Sequence, residues 1–99
     1  MNTEIQHQGQ KLLVTLQGRL DTVTTPEVSE ALKDVPEGVS ECILEVNNLE
    51  YISSAGLRLL LLLHKRMLAS GGRLLLRNVQ PGVKDILEMT GFASFLCME

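Results

Sequence analysis

Two adjacent hydroxyls, Ser53 and Ser54, stand in the stretch Tyr51-Ile52-Ser53-Ser54-Ala55-Gly56-Leu57. The stretch joins the end of a predicted strand to the start of a leucine-rich helix. The first N–H groups of a helix lack intrahelical partners, and the helix dipole makes that end positive. A serine there has two chemical uses. Its oxygen can accept an orphan N–H as an N-cap. Its hydroxyl can instead take a phosphoryl group, whose charge of about −1.5 to −2 suits a helix amino end. Read locally, capping is the commoner use, and the rest of the chain must decide.

No other group of residues offers comparable chemistry. The sequence has no G-x-x-x-x-G-K-[ST] loop for nucleotide phosphates, and no H-E-x-x-H or Cys/His cluster for a metal. His7 and His64 fall in different predicted elements without ligand spacing, and His64 reads as a packed or surface residue. The carboxylates form no general acid/base pair. Asp21 stands apart, because it occupies a loop after a strand, where α/β sheets tend to place functional groups. Its plain alternative is a turn residue ahead of a helix cap. Cys42 and Cys97 have no C-x-x-C partner and fit a reducing compartment, with Cys42 a small buried apolar group. An enzyme and a bound cofactor therefore find little support.

Composition narrows the classes further. Ninety-nine residues suit one domain with a modest core, and 44% apolar content favours folding over disorder. Only 3% of residues are aromatic and none is Trp, so the core is aliphatic and stacking platforms for nucleic acid are scarce. The net charge of −3 argues in the same direction. Charge is also segregated. Glu27 to Glu50 holds seven acids and one base, and Tyr51 to Lys84 holds six bases and no acid. Such runs are ordinarily solvated faces; the sharper reading is a basic edge near the second helix that meets an acidic partner. The amino terminus is polar and the apolar run Leu59 to Leu63 is too short to span a bilayer. A soluble, cytoplasmic protein without membrane insertion is expected.

The elements that must position these residues follow from pattern. Thr3 to Gln8 and the alternating Leu12, Val14, Leu16 read as two strands of a hairpin, with a turn at Gln8-Gly9-Gln10 and an end at Gly18. Thr25-Pro26 reads as an N-cap followed by the first helical residue. Val28, Ala31, Leu32 and Val35 then form one helical face, broken by Pro36 and Gly38. Cys42 to Val46 reads as a short strand and Asn47-Asn48 as loop. A helix spans about Ser54 to Ala69, apolar on nearly every side through Leu63. Leu74 to Leu76 reads as a strand buried on both faces. Pro81 starts a third helix carrying Val83, Ile86 and Leu87, and Gly91 stops it. Phe92, Phe95 and Leu96 form a tail that packs back on the core. Alternating strand and helix after a hairpin implies a mixed sheet with parallel right-handed crossovers.

On these motifs the chain resembles the STAS domain, specifically the small stand-alone anti-sigma factor antagonists of bacteria. Gly18-Arg19-Leu20-Asp21 is similar to that family's G-x-L-D loop. Ile43 to Val46 followed by Tyr51 to Leu57 resembles its central strand and phosphorylation loop. Gly71-Gly72-Arg73-Leu74 and Thr90-Gly91-Phe92 with Phe95 resemble its later turn and its carboxyl-terminal signature. All four occur in order over nearly the whole chain. The resemblance implies one STAS domain over 1–99: an α/β fold with a mixed four- to five-stranded sheet, an N-terminal hairpin, parallel crossovers and three to four helices.

The resemblance also implies a function. Family members are phosphorylated on one serine at the start of the second helix. The kinase is their own partner, an anti-sigma factor with a histidine-kinase-like fold. Aligning Gly56 and Leu57 with the motif puts the acceptor at Ser54, with Ser53 as runner-up where many members carry Asp. Asn47-Asn48 replaces a frequent Ser-Gly. Asp21 is implied to lie beside the serine, and the partner surface to comprise Asp21, Thr22, Ser53, Ser54, Ala55, Gly56, Leu57 and Arg58. The unmodified form would bind the anti-sigma kinase and release the sigma factor. Phosphorylation would end binding, and a metal-dependent serine phosphatase would restore it. The protein would be a regulator and substrate, a monomer in its simplest form, and not an enzyme. The rival within the fold family is an accessory subunit of a membrane transport system. A carrier protein with a serine-bound prosthetic group is a third reading, opposed by the strands at Leu12 to Leu16 and Leu74 to Leu76.

Overall fold

The computed structural model describes residues 2–33 and 38–99. Strand β1 (Asn2–Gln8) turns through Gly9-Gln10 into β2 (Lys11–Leu20), and the two pair antiparallel with Asn2 opposite Gln17 and Gln8 opposite Lys11. There follow α1 (Thr25–Ala31), β3 (Glu41–Ile52), α2 (Ser54–Ala69), β4 (Arg73–Arg77), α3 (Pro81–Met89), a single 3₁₀ turn at Phe92–Ser94 and a two-residue β5 (Cys97–Met98). The sheet order is β1-β2-β3-β4-β5, with every pair after the hairpin parallel. Three crossovers step the same way across the sheet, so right-handed connections put all three helices on one face. The expected mixed sheet with hairpin, crossovers and three helices is therefore what the chain forms.

The core lies between that face and the helices. It joins Leu12, Val14 and Leu16 of β2, Cys42, Leu44 and Val46 of β3, and Leu74 and Leu76 of β4 to Val28, Leu60, Leu63, Val83 and Leu87 of the helices. The strand residues come at alternate positions, as a half-buried strand requires. Leu13, Ile43 and Leu75 point the other way in one register row, and ion pairs Glu41–Arg73 and Glu45–Arg77 flank it. Ile43 and Leu75 are still buried, so β4 is covered on both sides as its unbroken leucines suggest.

Four boundaries differ from the sequence reading. β2 does not stop at Gly18 but passes through it, at φ +102°, and runs on to Leu20. Only glycine takes that backbone angle without strain, so Gly18 marks a bulge. β3 likewise continues through Asn47-Asn48 to Ile52. Between the pairs Thr15–Glu45 and Leu20–Ile52, β2 advances five residues (20 − 15) and β3 seven (52 − 45), so β3 carries two extra residues in two bulges. The first lets both asparagines face outward, where Gln80 Nε2 donates to the Asn47 carbonyl. The N-cap of α1 is Thr24 and not Thr25. Finally, the carboxyl-terminal tail forms β5, too short for any periodicity to show. Val35, Pro36 and the expected break there lie outside the described residues.

Candidate functional site

The site forms where β2 and β3 both end. Leu20 and Ile52 are register partners at the last rung, and the Ser53 N–H donates to the Leu20 carbonyl at 2.8 Å. That bond ties the loop after β2 to the mouth of α2. The two bulges in β3 set this meeting point, because without them Ser53 would fall two residues out of step with Leu20.

At the mouth the two serines divide their labour. Ser53 is the N-cap: its backbone is extended (φ −90°, ψ 177°), its Oγ accepts the Gly56 N–H at 3.4 Å and its carbonyl accepts the Leu57 N–H at 2.9 Å. Ser54 is the first helical residue and is exposed, and among the described residues its Oγ makes no hydrogen bond. Capping thus consumes one hydroxyl and leaves the other at the surface. Ala55 is half-buried, Gly56 and Leu57 are buried and Arg58 is exposed. Gly56 and Leu57 therefore act on the site by packing. A Cβ on Gly56 would stand 2.9 Å from both Leu20 Cγ and the Leu20 carbonyl oxygen and 3.0 Å from Ile52 Cγ2. Only glycine lets the helix start this close to the strand ends.

Asp21 caps the loop itself. Its Oδ1 accepts N–H groups of Val23 and Thr24, each at 3.0 Å, and lies 3.2 Å from the Thr24 hydroxyl oxygen. Its carbonyl accepts the Thr25 N–H at 2.9 Å. Residues 21–25 thus make a turn that leads into α1, where the Thr24 carbonyl accepts the Glu27 and Val28 N–H groups at 3.1 and 3.3 Å and no side chain caps the helix. Thr25 Oγ1 is left buried without a partner. The Thr24 N–H first, then Val23 and Thr24's hydroxyl, and lastly Arg19, hold the Asp21 carboxyl below its ordinary value against a smaller opposing effect of desolvation. Asp21 forms no hydrogen bond to either serine; Leu20 connects them. Thr22 is exposed beside it.

Three residues belong to the site that sequence reasoning did not single out. Thr24 Oγ1 accepts the Asp21 N–H at 2.9 Å and donates to the Arg19 carbonyl at 2.6 Å, which locks the loop. Arg19 lies 4.4 Å over the Tyr51 ring, and its Nε is 3.9 Å from Asp21 Oδ2. The pairing of Arg19 with Tyr51 follows from the second bulge, which no local pattern in the sequence announces. Val23 is 76% exposed at the loop tip, an unusual placement for a β-branched apolar side chain.

The remaining candidates stand elsewhere. His64 is half-buried against Phe95, ring centroids 5.2 Å apart. Cys42 is buried and its thiol is pushed up to about 11 by desolvation, while Cys97 is exposed and unpaired. Among the described residues no group of three His, Cys, Asp or Glu side chains could hold a metal ion, and no helix is long and apolar enough to cross a membrane.

Comparison with known proteins gives this geometry a context. A family model described as the STAS domain matches residues 2–98. The putative anti-sigma factor antagonist BtrV of Bordetella bronchiseptica is 34% identical over 84 residues, 84% of this chain and 72% of BtrV. The structure of the anti-sigma factor antagonist SpoIIAA in its unphosphorylated form superposes with a TM-score of 0.82 at 18% identity, covering 99% of this chain and 88% of that one. The phosphorylated form of SpoIIAA, a Bacillus cell fate determinant, superposes with a TM-score of 0.69 at 19% identity over 99% and 91%. By the family match and the Bordetella relative, the chain belongs to the STAS-domain family.

Proposed function

We propose that this protein is an anti-sigma factor antagonist of the bacterial cytoplasm, switched by phosphorylation of Ser54. The observation that carries the reading is the division of labour at the α2 mouth: Ser53 is spent on the cap, and Ser54 Oγ is exposed and uncommitted. The relative BtrV, named a putative anti-sigma factor antagonist, supports it, and the antagonist SpoIIAA shares the fold. In the unmodified form the mouth of α2, the Asp21 loop and the exposed Val23 bind an anti-sigma factor that is also a serine kinase, and the sigma factor is released. Ser54 Oγ then attacks the γ-phosphorus of the kinase's ATP. A new O–P bond forms, the bond to the β-phosphate oxygen breaks, ADP leaves, and the hydroxyl proton passes to a base on the kinase.

The phosphate sits on an exposed side chain with no hydrogen bond to lose, so the fold persists. At the interface the same group must be desolvated or displaced, and the complex weakens. A metal-dependent serine phosphatase reverses the step. The protein acts as a monomer and as substrate, and no residue of its own performs catalysis. The test is incubation with the anti-sigma kinase and ATP, followed by intact mass and phosphosite mapping, with binding measured in parallel. Ser54→Ala is expected to bind and accept no phosphate, and Ser54→Asp to bind poorly. Phosphorylation of Ser54→Ala at Ser53 would overturn the assignment.

A further inference from the structure

Ser54 and Arg58 occupy positions four apart on one 16-residue helix. Such residues share a face, with Cβ atoms about 5–6 Å apart. Long helical side chains lean back over the turn that precedes their own Cα. The Arg58 guanidinium therefore has the space above Ser54 within its sweep. Both residues are exposed, and the first turn of α2 contains no acid. Among the described residues Arg58 forms neither an ion pair nor a side-chain hydrogen bond. Neighbouring cations are committed elsewhere. Arg19 lies over Tyr51 and near Asp21, and Arg66 donates to the Leu32 carbonyl at 3.2 Å.

Resting on the reading of Ser54 as acceptor, we propose that Arg58 is the internal counter-ion of the phosphoryl group. Its planar fork matches two phosphate oxygens at once and draws the group back onto the helix. Without phosphate, Arg58 presents a cation beside a neutral hydroxyl. With phosphate, that cation is spent, and the pair carries a net charge of about −0.5 to −1. Modification then reverses the sign of the surface at the helix mouth, and does more than add bulk to it. A partner that reads Arg58 with a carboxylate loses its contact and meets a like charge in the same step.

The test uses the full chain with phosphoserine installed at position 54 by genetic code expansion. The second ionisation of the phosphate, ordinarily near pH 6, is followed by ³¹P NMR at low ionic strength, where exposed pairs are least screened. Arg58→Gln is expected to raise that ionisation by about 0.3 to 0.7, the equivalent of an exposed ion pair. Arg58→Lys should fall between the two, and added salt should close the gap. Asp21, Glu50, Arg19 and Tyr51 are the titratable or charged residues at the ends of β2 and β3 and in the loop after β2, and His64 lies further along α2. All five are the same in every variant, so their influence cancels. Circular dichroism confirms that each variant is folded. Superimposable titrations of the parent and Arg58→Gln would overturn the proposal. Because the phosphate is installed without a kinase, that result would leave open which serine a kinase uses. Conversely, phosphorylation at Ser53 in the kinase assay would refute the acceptor assignment and leave the titration valid.

Discussion

Gly56→Ala probes the contact on which the whole site depends. The added methyl carbon would lie 2.9 Å from the Leu20 carbonyl oxygen, 2.9 Å from Leu20 Cγ and 3.0 Å from Ile52 Cγ2. One of these atoms is backbone, and it is the acceptor for the Ser53 N–H at 2.8 Å. Relief therefore requires the helix to back away from the strand end. Overpacking of this kind costs about 1–3 kcal/mol. Weakening the Ser53–Leu20 hydrogen bond adds about 1 kcal/mol. Against this stands the helix preference of Ala over Gly, about 1 kcal/mol. The net is a destabilisation of about 1–3 kcal/mol, which lowers Tm by roughly 4–24 °C in a domain of this size. Gly82→Ala is the matched control. Gly82 also lies in the first turn of a helix, and a Cβ there meets nothing within 4 Å. It should be neutral or stabilising by up to about 1 kcal/mol. Urea unfolding of both variants reads the difference directly. Gly56→Ala as stable as the parent, with Gly82→Ala behaving as stated, would refute the claim that glycine is needed for close approach.

The other expectations concern the core and the acid limb. Leu44 is fully buried in the central strand, so Leu44→Ala should cost about 2–5 kcal/mol and lower Tm by at least about 8 °C; a smaller loss by calorimetry would mean that the core closes over the void. The Asp21 and Glu45 carboxyls are both held below their ordinary values, Glu45 by Arg77 and Asn78 against a larger single effect of desolvation. A depressed folded value means that stability is present above the unfolded values of 3.8 and 4.5 and is lost as pH falls through the lower folded ones. Between about pH 5 and pH 3 the parent should therefore lose more stability than the double variant Asp21→Asn, Glu45→Gln. Equal slopes in denaturant melts across that range would contradict the hydrogen-bonding account of both carboxyls.

Much of this architecture is legible in the chain, for identifiable reasons. Periods of two and 3.6 mark β2 and α3 because each turns one clear set of side chains to a single core. The α2 boundaries come out at Ser54 and Ala69 since a hydroxyl cap and the Ser70-Gly71-Gly72 break bracket the run. The places that resist reading are those where tertiary geometry overrides local chemistry. Gly18 and Asn47-Asn48 carry turn residues, yet both lie inside strands, because a bulge needs the same backbone freedom as a turn. Thr25-Pro26 looks like a cap, but the turn built around Asp21 makes Thr24 the cap residue, one position earlier. Of the candidate site, the serines and Asp21 are visible in the sequence. The contact of Arg19 with Tyr51 is not, since it follows from two extra residues in β3 that shift the register only once the strands pair.

The same bulges bear on whether the proposed phosphorylation of Ser54 would spare the fold. They lengthen β3 until Ile52 meets Leu20, and the chain then leaves the sheet directly into α2. Everything that stabilises the junction lies on the inner side: the Ser53 cap, the Leu20 carbonyl, and the buried Gly56 and Leu57. Ser54 lies on the outer side, in the next position, with neither packing nor hydrogen bonds to lose. A charge placed on it meets a helix amino end, which lowers its cost to the domain by a few tenths to about 1 kcal/mol. The same charge placed against a desolvated partner surface costs several times more. The difference between those two environments, at a residue next in sequence to the structural cap, is the free energy on which the proposed switch would draw.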